Sequence, residues 1–272
     1  MEKVVSLAPD DPQTWINLAR FWENTGQTDR AFEVLRKGIL AAPEDPDLLF
    51  EIGTAHLEKA SPTEARGYLR KAFEMAPSED EIRLNLARAE YQLGNFEKSL
   101  ELCEPWSDAF KSNATIARLL GNLYLALGKT EKAIPVLLSA AQQNPSDLDT
   151  VIKTAELVLE PNSKDSLIED QGSLIEDILK TSLIEHPDQT QLLLCLADLD
   201  RILGNYQEAH ERYTQLAMNK DEHPEIPAWR VQYGLGLTSS ALGDLEIGLA
   251  ALEDAAQSKP DNLKILQALA ST

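Results

Sequence analysis

Three arginines carry the sequence's clearest hint of chemistry. The chain holds 45 acidic against 25 basic residues, a formal net charge of −20, yet Arg20, Arg88 and Arg118 recur at related spacings. Each guanidinium presents a planar fork of donors that fits a carboxylate. Asn17, Asn85 and Asn122 lie close by in the chain, and an amide can donate and accept at once. Other reactive types offer less. Cys103 and Cys195 form no CxxC pair, and His56, His186, His210 and His223 lack metal-ligand spacing. Both cysteines sit among apolar residues, which predicts two buried free thiols. No glycine-rich phosphate loop, GxSxG or HExxH occurs, and the carboxylates are spread along solvated faces rather than paired in an apolar pocket. The residues predict no metal, no cofactor and no catalysis. Polar binding is what remains.

Side chains so spaced need a regular scaffold, and the sequence supplies one. Units beginning at Pro12, Pro46, Asp80, Ala114 and Leu148 follow one another every 34 residues. Their eighth place reads Ala19, Gly53, Ala87, Gly121 and Ala155; their twentieth reads Ala31, Ala65, Ser99 and Ala133. Pro43, Pro77 and Pro145 stand near the ends of three units. Small residues at these places let two antiparallel helices approach closely, while Trp15, Leu18, Trp22 and Leu35 fill the remaining space in the first unit. Gly26, Gly94 and Gly128 predict the end of a first helix, because glycine takes the left-handed C-cap conformation without penalty. The late proline ends the second helix. An acidic residue after it, as in Pro43-Glu44-Asp45-Pro46, starts the next.

This order of residues resembles the tetratricopeptide repeat. Trp15, Leu18-Ala19, Trp22, Ala31, Leu35, Gly38 and Pro43 follow the family pattern, and Leu120-Gly121, Tyr124, Ala133, Leu137, Ala140 and Pro145 follow it better still. A sixth unit starts near Thr190, with Leu196-Ala197, Gly204-Asn205-Tyr206, Ala209 and Tyr213. A seventh starts near Trp229, with Leu235-Gly236, Gly243, Leu252, Ala255 and Pro260. The resemblance implies an all-α, right-handed α-α superhelical solenoid of about seven helix pairs, forming one domain over residues 1–272. Its repeats are expected at 12–45, 46–79, 80–113, 114–147, 148–189 with an insertion, 190–228 and 229–262. Residues 1–11 read as the end of a preceding repeat, and 263–272 as the first helix of an eighth or a cap. The chain is therefore expected to be an excerpt of a longer array.

In this family the first helices line a concave groove. Places five and nine share a helix face; they hold Phe50, Leu84 and Arg118 at place five, and Arg20, Arg88 and Asn122 at place nine. Asn17 and Asn85 fall at place six. The resemblance thus implies a groove in which Asn17, Arg20, Phe50, Leu84, Asn85, Arg88, Arg118 and Asn122 hold a protein or peptide. Its arginines suit an acidic segment or a C-terminal carboxylate. The competing expectation is that they pair with Asp47, Glu51 and Glu81. Further along, the groove is expected to turn acidic at Asp149, Glu156, Glu160 and Asp198. Arg118 and Asn122 match the first pair used by chaperone-binding members, with Lys153 in the next unit. Gln191 and Cys195 break the third contribution, which speaks against a heat-shock carboxylate clamp.

Three places depart from the period. Pro105 should kink or end a second helix, leaving Trp106 and Phe110 to pack on the following turn, with Lys111 in place of the late proline. Between Pro161 and Pro187 the motif Ser-Leu-Ile-Glu-Asp occurs at Ser166–Asp170 and Ser173–Asp177, with a partial copy at Ser182–Glu185. A tolerated duplication that lengthens one helix is the reading favoured over a docking helix. Asn219–Pro227 reads as a connector. The net charge repels phosphate backbones and anionic lipid, which predicts no nucleic-acid and no membrane partner. Residues 1–9 lack a basic start with a long apolar core, so a cytoplasmic scaffold or adaptor is expected. The alternative is a substrate-recruiting or oligomerising arm of a larger enzyme or a secretion or assembly machine.

Overall fold

A computed structural model describes residues 8, 10–106, 112–159, 165–218, 224 and 226–271, with 165–170 as backbone alone. Among them are fifteen α-helices, one 3-10 turn and no strand. Phe110, Lys111, Glu160, Pro161, the side chains of Ser166–Asp170 and most of Asn219–Pro227 lie outside the described residues, as do residues 1–7 and Pro9.

The chain divides into two compact units, Met1–Ala133 and Ile134–Thr272. In the first, α1 (Pro12–Asn24) packs on α2 (Thr28–Ala41), α3 (Pro46–Glu58) on α4 (Pro62–Met75), and α5 (Asp80–Gln92) on α6 (Phe96–Cys103), before α7 (Ala114–Ala126). The division falls inside α8 (Thr130–Gln143). The second unit continues with α9 (Leu148–Leu159), α10 (Asp165–Glu185), α11 (Thr190–Leu203), α12 (Tyr206–Met218), α13 (Ala228–Leu242), α14 (Leu245–Ser258) and α15 (Leu263–Ser271).

Local chemistry sets these ends. Asp11, Asp45 and Asn113 cap α1, α3 and α7 by accepting first-turn backbone N–H groups, and Pro12, Pro46 and Pro62 open their helices. Gly26, Gly94, Gly128, Gly204 and Gly243 all have positive φ just past a first helix; Ala60 holds the same place with φ of 53°. After Cys103, Pro105 lies in the 3-10 turn Glu104–Trp106, and α6 ends there. Trp106 is buried, and its indole N–H donates to Asp80 Oδ1 at 3.2 Å.

Small residues allow the close crossings. A Cβ at Gly53 would lie 2.6 Å from Leu69 Cγ, and one at Gly38 would lie 2.9 Å from Trp15 Cβ. Leu18, Ala19, Ala31, Leu35, Leu48 and Ile52 form one core of the first unit, and Leu138, Val151, Ile175, Leu192 and Leu199 belong to one in the second. In the first unit α1 touches α3, α3 touches α5 and α5 touches α7; in the second, α9 touches α11 and α11 touches α13. First helices are thereby gathered on one inner face of each unit, and second helices back them. No described helix is long and apolar enough to cross a membrane.

Candidate functional site

On the inner face of the first unit, α5 and α7 border a recess of about 170 Å³. Arg88, Tyr91 and Gln92 line it from α5; Thr115, Arg118, Leu119 and Asn122 line it from α7. None of the lining residues is acidic. Arg88 Nη1 donates to Asn85 Oδ1 at 2.8 Å, and Asn85 Nδ2 donates to the Glu81 carbonyl at 3.1 Å. Buried Asn85 thus stands behind Arg88 and orients it through a neutral amide. The guanidinium charge is steered without being cancelled.

The other singled-out residues lie apart from this recess. Arg20 donates through Nε and Nη2 to Glu51 Oε1, at 3.1 and 2.5 Å, so its fork is engaged across α1 and α3. Asn17 accepts from Gln13 Nε2 at 3.2 Å. Phe50 packs into the core beside Leu49, Leu57, Leu69 and Ile82. Leu84 is half-buried and lines no recess described here. Arg88, Arg118 and Asn122 come together; Asn17, Arg20, Phe50 and Leu84 do not join them.

The second unit has a larger recess, of about 450 Å³, on its own inner face between α9, α11, α13 and the start of α15. Asp198, 8% exposed, lies beneath it. Its Oδ1 accepts the Tyr213 hydroxyl at 2.5 Å, and its Oδ2 accepts Arg230 Nε and Nη2 at 2.9 and 2.6 Å. Tyr213 is fully buried, and burial raises its pKa, so the phenol keeps its proton. Its ring crosses directly over Gly234, where a Cβ would meet Tyr213 Cζ at 2.3 Å. Glycine at that place is what lets the hydroxyl reach Asp198.

Of the residues expected to make the groove acidic, Glu156 and Asp198 line the recess, and Glu160 lies outside the described residues. Asp198 is already paired, and among the described residues three cations (Arg201, Arg230 and Lys264) line the recess with two carboxylates, Asp198 and Glu156. Arg201 and Arg230 are not among the residues expected at the groove. The signal lay at places two and twelve, which share a helix face with places five and nine through steps of three and four.

The cysteines are free and buried. Burial pushes both thiols up to about 12, so neither supplies a thiolate near neutral pH. No group of three or more His, Cys, Asp or Glu side chains suited to a metal occurs among the described residues.

Paired helices whose first members pack side by side define a helical-repeat protein. Residues 56–123 and 119–147 match models described as tetratricopeptide repeat. Tetratricopeptide repeat protein 37 of Xenopus laevis is 25% identical over 238 residues, covering 82% of this chain and 14% of its own length. The human protein O-mannosyl-transferase TMTC1 is 22% identical over 200 residues, covering 73% of this chain and 22% of its own. The chain thus spans less than a quarter of either relative. Among solved structures, a tetratricopeptide repeat protein from Parabacteroides merdae superposes with a TM-score of 0.51 at 18% identity, over 95% of this chain and 97% of that one. Residues 56–147 thus match the tetratricopeptide repeat, and the chain has the tetratricopeptide fold, whose stacked helix pairs support protein-interaction scaffolds in general.

Proposed function

We propose that this chain is a protein-binding scaffold whose first unit holds an acidic segment or a C-terminal carboxylate of a partner on its inner face. The observation that carries this reading is the recess between α5 and α7, where Arg88, Arg118 and Asn122 converge with no acidic side chain among the described residues that line it. A carboxylate there meets charge-assisted donors, and Tyr91 and Leu119 offer it apolar surface. Arg20 takes no part, because Glu51 occupies it. The reading assigns binding, not chemistry, to these repeats.

Fluorescence anisotropy with labelled acidic peptides, carrying free or amidated C-termini, tests it. Arg88→Ala with Arg118→Ala should weaken binding at least about tenfold, and affinity should fall as salt rises, since the contacts are partly exposed and screened. Equal binding by wild type and variant overturns the reading. A second reading makes the array the recruiting arm of a longer protein. It rests on the small share of each relative that the chain covers, one relative being a mannosyl-transferase by name.

A further inference from the structure

The larger recess of the second unit has its own chemistry, independent of the first unit's. Its walls combine Leu159, Ile202, Trp229 and Ile265 with Arg201 and Arg230. Buried Asp198 fixes Arg230 with two hydrogen bonds and shares Oδ1 with the Tyr213 hydroxyl. Arg201 is held more loosely. Its Nε donates to Tyr213 Oη at 3.4 Å, and its Nη2 stands 3.9 Å from Asp198 Oδ1. Neither terminal nitrogen has an acceptor within hydrogen-bond distance among the described residues, and the side chain is 23% exposed. Two guanidiniums therefore share one buried carboxylate. Glu156, half exposed at the rim, reaches Arg230 Nη1 only at 3.4 Å, and Lys264 adds a further cation.

We infer that this recess binds a peptide segment in which a carboxylate stands directly beside a large apolar side chain. Arg201 receives the carboxylate through its two terminal nitrogens, in the forked geometry that Arg–carboxylate pairs adopt. Arg230, already fixed by Asp198, supplies field rather than a new hydrogen-bonded pair. The adjoining apolar side chain enters between Trp229, Ile202 and Ile265. The recess has a volume within the range of ordinary ligand pockets, and its charged side chains stand beside apolar walls, which suits orientation as well as affinity. A ligand with the charge alone, or with the apolar group alone, satisfies half of the lining.

The test uses short acetylated and amidated peptides titrated into the whole chain by calorimetry. The probes contain Phe-Asp, Phe-Asn or Ala-Asp at their centre. The Phe-Asp probe should bind, and each of the other two should bind about tenfold more weakly, the usual scale for losing one charge-assisted contact or one buried aromatic group. With the first-unit recess disabled by Arg88→Ala and Arg118→Ala, the preference for Phe-Asp over Phe-Asn should persist, and adding Arg201→Gln to that background should remove it, so failure here is distinguishable from failure of the first-unit reading. Equal binding of Phe-Asp and Phe-Asn to the unaltered protein, or no binding of either, overturns the proposal without any variant. So does an added Arg201→Gln change, in that background, that keeps the far-ultraviolet dichroism and the preference. If Arg201→Gln does not fold, exposed Lys264→Gln replaces it and should weaken the Phe-Asp probe about threefold; unchanged affinity there counts against the proposal.

Discussion

The two units carry arginines on their inner faces in opposite ways. In the first, Arg88 is oriented by the neutral amide of Asn85, and no described residue lining its recess is acidic. In the second, Arg230 is gripped by the buried carboxylate of Asp198, itself capped by Tyr213. An amide directs a guanidinium and leaves its charge for a ligand. A buried carboxylate directs it more firmly and offsets the charge, so the affinity of that recess depends on a second cation, Arg201. The same repeat thus holds one arginine by an amide and another by a carboxylate, and that partner decides how much of the charge is offset.

The largest effect that would break this contrast lies at Asp198. Asp198→Ala strands Arg230 and the Tyr213 hydroxyl together and should cost about 3 kcal/mol, the low end for a broken buried pair because Arg230 stays partly exposed; chemical denaturation reads this directly. Removing Asn85 from behind Arg88 should cost less than half of that. Next comes Gly234→Ala. The new methyl overlaps the Tyr213 ring, which must shift away from Asp198, and overpacking of this kind costs about 1–3 kcal/mol. A loss under a few tenths would mean that the ring moves freely and that the network is not held by the helix crossing.

Smaller effects sharpen the first unit's side. Ala60 sits at the left-handed place that glycine fills in neighbouring repeats, so Ala60→Gly should stabilise by about 0.5–1 kcal/mol, read as a higher melting temperature. Glu51→Ala frees exposed Arg20 and should cost under about 1 kcal/mol. The smallest concerns pH. His56 lies between Phe32 and Tyr68, with ring centroids at 4.9 and 5.4 Å, and burial lowers its pKa. A lowered folded pKa means the unfolded chain takes up the proton more readily. His56 therefore contributes stability above the ordinary histidine pKa of about 6.5 that fades as pH falls below it. His56→Gln should flatten the fall in melting temperature between neutral and mildly acidic pH; an unchanged slope contradicts the assignment.

Helix pairs were legible because each needs small residues, a turn glycine and a cap at fixed intervals. Ala19 with Ala31, Gly94 and Asp45 supply them where the structure uses them. Pro105 was legible for the same reason, as a backbone that cannot continue its ladder. Partnership across repeats was harder to read. Arg20 meets Glu51 from the next first helix, which spacing permits but does not dictate. Phe50 has a place on the groove-side pattern and is half-buried, packed against two core clusters. The Tyr213–Asp198–Arg230 network joins three helices through a glycine that only the crossing explains, and no local pattern announces it.

The most direct test of the account asks which face meets the partner. A photo-cross-linking residue placed at exposed Gln92, beside the first unit's recess, is compared with one at exposed Lys71 on the backing helix α4. In extract of the source cells, the account predicts a discrete cross-linked partner from position 92, competed away by an acidic peptide, and only background from position 71. Cross-linking that is equal at both positions, or confined to 71, would place recognition on the backing helices and contradict the inner-face scaffold.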